Sequence, residues 1–401
     1  MSVSPSILAT IHELVDLVLR WIHLIAGIMW IGNSMLFNWL DRNLVTPPGG
    51  PRDRLVGEIW MLHSGAFYQV EKKFLEPQGM PKILHWFKWQ SYTTWLTGAA
   101  LLGVVYYTGD AALMRDPAVA KLSGPTAIAI GVGFIVGAWV LYDLLWRVVG
   151  QRNQIGVPLL LLLLFGAIYG FTHLLSGRAA FLHTGALFGT LMAGNVFFHI
   201  IPSQRELVAA TLAGREQDLA LSYRAKQRSI HNNYLTFPLL FTMLSNHFSV
   251  AYSHPRNWLI LTVLFAGGAT ARHCLNVRFG WPSWKPWFAA TLVGTVVVTF
   301  ALVQPTAPAA AATGKVEFST VEQVIRTRCT PCHSATPTDT TPPLAPANVR
   351  FDSKDDIKQW ATRIHARAAQ QKTMPFANKT AMTDEERQLL GRWFEAGAVV
   401  E

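Results

Sequence analysis

Apolar residues come in long blocks up to about residue 303 and in short amphipathic runs after it. A helix needs about 20 apolar residues, at ~1.5 Å of rise each, to cross a ~30 Å hydrocarbon core. On that measure the pattern predicts eight spans: Leu14 to Leu40, Tyr92 to Tyr107, Ala127 to Trp146, Gly156 to Leu175, Ala180 to Ile201, Tyr234 to Tyr252, Trp258 to Ala271 and Trp287 to Val303. The segment between the first two reads as a basic loop. The pairs Gly133/Gly137 and Gly185/Gly189 have the helical spacing that lets two helix backbones approach closely. After the last block, Gln304 to Gly314 reads QPTAPAAAATG, a Pro/Ala linker. Residues 315–401 then suit a small one-core domain. Val321, Ile325 and Cys329 share one helical face there. Thr383 with Glu386 predicts a capping box opening a helix that carries Leu389, Leu390, Trp393 and Phe394. The expected class is all-α: an eight-helix transmembrane bundle over residues 1–303, a linker over 304–314 and a small domain over 315–401.

Composition sharpens this picture. The chain is 51% hydrophobic and 14% charged, whereas soluble domains carry about 25% charged residues. The net charge of +10 lies mostly in alternate loops. Arg42, Lys72, Lys73, Lys82 and Lys88 follow the first block, and Arg205, Arg215, Arg224, Lys226 and Arg228 follow the fifth. Arg52 and Arg54 also follow the first block, Arg147 and Arg152 the third, and Arg272, Arg278 and Lys285 the seventh, whereas the alternate loops offer only Arg115, Lys121, Arg178 and Arg256. This is a topology signal rather than a nucleic-acid footprint. Positive loops stay inside, so both termini are expected on the outer, periplasm-like side. The first block lacks a basic leader and is long enough to remain as an anchor.

Two of the three cysteines stand in Cys329-Thr330-Pro331-Cys332-His333. This is C-x-x-C-H, the attachment motif of a c-type haem. The two thiols would form thioethers with the haem vinyl groups, and His333 would ligate the iron. One covalent haem c is expected. Met374, followed by Pro375, is the preferred second ligand, because a thioether raises the potential and suits electron transfer. His365 is its rival and Met382 a weaker one. A backbone carbonyl in the loop that carries Pro342, Pro343 and Pro346 is expected to accept from the His333 ring. Zinc would want a further ligand pair, and this domain has no other cysteine. Cys274 reads as a buried, inert thiol.

Ionisable residues inside spans are functional candidates. The topology sorts His23, His173, His183, Asn246 and His247 toward the outer side. Asn33, Asn38, Asn195, His199, His231, Asn232 and Asn233 sort toward the inner side, and Arg20 lies one turn from His23. Three readings stay open: interhelical hydrogen-bond glue, a substrate pocket, and an additional haem b between facing histidines. The pairs His183/His199 and His231/His247 fit haem poorly, because sixteen residues rotate a helix by about 160° beyond whole turns. A pocket on the outer side is preferred, since electrons from the inner side would have to cross most of the ~30 Å core.

Certain stretches carry a family likeness. They are Trp21-Ile22-His23 with Trp30-Ile31-Gly32 and Phe37-Asn38; His183-Thr184-Gly185-Ala186; Asn195-Val196-Phe197 with Ile201-Pro202; and His231-Asn232-Asn233-Tyr234-Leu235-Thr236 with Ser245-Asn246-His247. With eight spans and a C-terminal C-x-x-C-H, the chain resembles the bacterial membrane-bound, cytochrome c-linked urate oxidases over essentially its whole length. The resemblance implies oxidation of urate to 5-hydroxyisourate in the membrane block. Electrons would pass through a class I-like cytochrome c domain to a respiratory acceptor, a soluble cytochrome or a terminal oxidase. It implies a multi-pass protein of the bacterial inner membrane with the haem domain periplasmic. Urate is a planar anion and would want a cation, amides and an aromatic wall such as Trp21 or Trp30. His23, His183 and His247 are the expected proton acceptors, with Arg20 as anion partner. The alternatives are a quinol-oxidising subunit with internal b haems, and a haem-bearing sensor or transporter without catalysis.

Overall fold

The computed structural model describes residues 5–47, 55–304, 316–339 and 345–400. They are mostly helical. In chain order the elements are α1 (Pro5–Asn43), β1 (Leu55–His63), β2 (Ala66–Lys73), α2 (Trp89–Leu101), α3 (Gly124–Val149), α4 (Asn153–Leu174), α5 (Gly177–Asn195), α6 (Ile201–Leu212), α7 (Leu219–Leu244), α8 (Ser249–Tyr252), α9 (Asn257–Val277), α10 (Trp284–Val303), α11 (Phe318–Arg328), α12 (Lys354–Ile364) and α13 (Asp384–Glu395). Much of the expected linker, with Pro342, Pro343, Arg52 and Arg54, lies outside the described residues.

Six helices are long and apolar enough to cross a membrane: most of α1, then α3, α4, the continuous run Gly177–Leu212, α9 and α10. The other two expected spans are helical without meeting that measure. α2 keeps regular geometry for 13 residues and passes into a π-turn at Leu102–Tyr107. In α7 the run Arg228, His231, Asn232 and Asn233 lowers the mean hydropathy, and the helix ends at Leu244.

The structure corrects the all-α expectation at one place. The basic loop after the first span holds an antiparallel hairpin of β1 and β2. Ser64 and Gly65 turn the corner with φ of 52° and 76°, the left-handed pair that matches strand twist.

The chain forms two compact units. One comprises Met1–Leu101, Phe188–Phe237 and Ala269–Ala289; the other comprises Leu102–Leu187, Pro238–Gly268 and Ala290–Glu401. In the first, α1 packs along α2. In the second, α3 packs on α4. Glycine mediates close approach there, but not where spacing suggested. Gly133 and Gly137 face open space, whereas a Cβ at Gly170 would strike the Phe134 ring and one at Gly156 the Trp146 indole. Gly185 does press on Thr242 and Met243.

The C-terminal part of the second unit has its own apolar core. Val321, Ile325, Ile357, Ile364, Leu390 and Trp393 are buried together from α11, α12 and α13. Each such side chain contributes about 1.5–3 kcal/mol when fully buried. α12 opens on a Ser353/Asp356 capping box and α13 on the expected Thr383/Glu386 box.

Candidate functional site

The C-x-x-C-H segment leaves the end of α11 as one tight turn. The Cys329 carbonyl accepts from the Cys332 N–H at 3.2 Å and from the His333 N–H at 2.9 Å. Both thiols and the imidazole therefore sit on a single turn. His333 is then pinned: its Nδ1 donates to the Val349 carbonyl at 3.0 Å, and its own carbonyl accepts from Phe351 N–H at 3.0 Å. A carbonyl can only accept, so Nδ1 carries the proton and Nε2 keeps its lone pair for a metal. Burial pushes the Cys329 thiol up to about 12 and raises that of Cys332 as well. Neither thiol is in a disulfide.

Met374 is half-buried against the same core as Cys329. Its carbonyl accepts from Arg387 Nη1 at 2.7 Å, and the same nitrogen reaches the Ala368 carbonyl at 2.6 Å. Of its rivals, His365 is stacked on Phe394 with centroids 4.3 Å apart, and Met382 is buried in the core. The described residues hold no cluster of three or more His, Cys, Asp or Glu able to bind a metal. Cys329, Cys332 and His333 are the donor set that would hold a covalently attached haem.

Beside the Met374 loop lies a cavity of about 980 Å³, large enough for a small organic molecule. Its walls include His173, Arg178, Asn246, His254, Arg367 and Met374. The short α4–α5 turn positions the first two. Ser176 takes the Met114 carbonyl with its N–H (2.8 Å) and the Leu113 carbonyl with its hydroxyl (2.7 Å). Gly177 lets α5 begin hard against the Tyr252 carbonyl, where any Cβ would collide. Arg178 follows and donates to Asn246 Oδ1 at 3.0 Å. Among the described residues no carboxylate pairs with Arg178 or Arg367. The lining sets Lys121, Arg178, Arg367, Lys372 and Arg387 against Asp116, Asp384 and Glu385, so its balance is positive.

The two histidines of the wall have opposite proton patterns. His173 donates from Nδ1 to the Tyr169 carbonyl at 2.8 Å, which leaves Nε2 as a proton acceptor. His254 accepts at Nδ1 from the Arg256 N–H at 3.0 Å, so its Nε2 carries the proton. Burial, with the charge of Arg256, lowers its pKa, against a hydrogen bond to the Gln304 backbone that raises it. One ring can take a proton and the other can donate a hydrogen bond.

None of the four residues expected to be catalytic lines this cavity. Arg20 is already paired: its Nε lies 2.8 and 2.9 Å from the two Asp16 oxygens. In the same unit, His23 bonds to the Thr94 carbonyl at 2.9 Å and faces Gly98. In the other unit, His183 is buried, with Nδ1 on the Ala179 carbonyl at 2.8 Å and Nε2 3.3 Å from the Tyr107 hydroxyl. His247 is exposed on the short turn that also carries Asn246. The inner amides form a buried network: Asn195 donates to Asn232 at 2.8 Å, and Asn233 accepts from Arg272 at 3.0 Å and Asn276 at 2.7 Å.

Sequence reasoning placed His173 and Asn246 on the outer side but did not select them. It had no signal joining Arg178 to Asn246 or to Arg367. No curated protein and no solved structure matches the chain. A scan of protein families, in contrast, matches residues 9–303 to the urate oxidase N-terminal family. With most of its length inside that match, the chain belongs to the urate oxidase N-terminal family.

Proposed function

We propose that this protein oxidises urate to 5-hydroxyisourate and passes the electrons through a covalently held c-type haem to a respiratory acceptor. The observation that carries the reading is the cationic cavity beside Met374, in a chain whose other residues match a urate oxidase family. The balance is urate plus water giving 5-hydroxyisourate, two protons and two electrons. Arg178 and Arg367 hold the purine anion by charge-assisted hydrogen bonds. His173 Nε2 accepts a proton as the ring is oxidised. His183 and His247, in the same unit, are the other candidates for that proton, and His23 is a third. His173 is preferred because its lone pair borders a space that admits a purine.

Cys329 and Cys332 would tether the haem, and His333 and Met374 would be the protein's ligands to its iron. When bound, the haem supplies a one-electron acceptor, so each urate needs two outward transfers. Arg387 holds the Met374 loop in place. In this reading residues 1–303 are an eight-span block, α2 and α7 being the two spans with interrupted apolarity. Residues 315–401 are a class I-like cytochrome c domain on the periplasmic side of a bacterial inner membrane.

The test is anaerobic turnover with an added one-electron acceptor in isotopically labelled water. Two acceptor equivalents reduced per urate, with the label in 5-hydroxyisourate, are expected. Turnover that requires oxygen would refute the reading.

A further inference from the structure

A second cavity, of about 530 Å³ and widely open, lies in the other unit. It is lined by Arg42, His273 and Trp281, with Val277 and Gly280. Arg42 ends α1, and the other four stand at or just past the end of α9. Arg42 Nη1 donates to the Asn276 carbonyl, which ties the two helix ends together. His273 Nδ1 and the Tyr234 hydroxyl share a hydrogen bond of 2.8 Å.

Charge is unbalanced here. Arg42 and Arg278 lie close enough to Arg272 for their charges to act on it. Arg278 sits over the Phe279 ring at 4.6 Å and Arg272 over Phe237 at 5.5 Å. Among the described residues no carboxylate pairs with any of the three. Each helix C-terminus offers about half a negative charge. The two ends together offset about one of three positive charges, so close to two remain. A simple helix-end role therefore does not account for the cluster.

The surroundings are apolar and aromatic. Trp281 stacks on Trp287 at 6.2 Å and 28°. Trp287 stands in the first turn of α10, a helix with no buried residue and one of the six able to span a membrane. Indole rings at such a helix end mark the depth of lipid headgroups.

We propose that this cavity binds the phosphate headgroup of an anionic phospholipid. Arg42 on the cavity wall holds the phosphate, His273 donates to it, Arg278 just past the end of α9 adds to the positive field, and an acyl chain runs along α10 beside Trp287. The proposal is independent of the redox reading.

Native mass spectrometry of the full-length protein in detergent tests it. Dioleoyl-phosphatidylglycerol and dioleoyl-phosphatidylcholine are titrated in parallel. Wild type should retain the anionic lipid in preference. Arg278→Gln should weaken that preference about fivefold, and Arg42→Gln with Arg278→Gln should abolish it. Because Arg42 also holds Asn276, the Arg278→Gln variant alone keeps the test decisive if the double variant fails to fold. Equal retention of the two lipids by wild type would overturn the proposal. So would an unchanged preference in Arg278→Gln. Displacement of phosphatidylglycerol by millimolar inorganic phosphate would assign the cavity to a free anion and overturn the lipid.

Discussion

In the proposed reading, substrate binding turns on Arg178. Its guanidinium lies on the cavity wall, oriented by one bond to Asn246. Arg178→Gln keeps an amide donor and removes the charge. A hydrogen bond to a charged group contributes about 1.5–3 kcal/mol, so KM for urate should rise roughly ten- to a hundredfold. The covalent haem content should stay unchanged; steady-state kinetics beside haem staining of the denatured protein checks both. His173→Gln should instead lower kcat, with KM little altered. Asp352 supplies a pH prediction. Its carboxylate accepts from the Ser334 hydroxyl at 2.6 Å and the Ala335 N–H at 2.8 Å. These bonds hold its pKa below the usual carboxylate range. A depressed folded pKa stabilises the fold above the unfolded value, near 3.9. That contribution disappears as the pH falls through the folded pKa. Thermal melts of Asp352→Asn should show a weaker loss of stability on acidification than wild type. At this scale the tight Cys329–His333 turn was legible, because C-x-x-C-H is a local motif. Arg178 was not, because Asn246 and Arg367 reach its cavity from distant parts of the chain.

At the level of elements, helix packing relies on glycine where a ring must come close. A Cβ at Gly131 would sit 3.0 Å from the His183 ring and 2.8 Å from Met114 Cε. The methionine can move, but the buried imidazole, held on Ala179 and near Tyr107, has less freedom. Gly131→Val should cost about 1–3 kcal/mol, measured as a lower Tm. Arg387 performs a comparable service for the Met374 loop, tying α13 to the Ala368 and Met374 carbonyls. Arg387→Gln should weaken the far-red methionine–iron band while leaving the haem covalently attached. Long apolar helices were plain from the sequence because their periodicity is uninterrupted. The β1–β2 hairpin was not. Lys72 and Lys73 with a single Ser-Gly turn read equally well as a charged loop, and only tertiary pairing separates the two.

For the whole molecule, the sequence shifts after residue 303 from apolar blocks to amphipathic runs. The shift also marks where the family match ends. What could not be read was the cavity that brings α4, α5 and the chain before α9 beside the Met374 loop. That junction is where the account places electron transfer. The most direct test mixes oxidised protein with urate in the absence of oxygen and follows the haem bands in a stopped-flow spectrometer. The account predicts reduction of the c haem in the intact protein, markedly slowed in Arg178→Gln at the same urate concentration. Urate consumption while the c haem stays oxidised would contradict it.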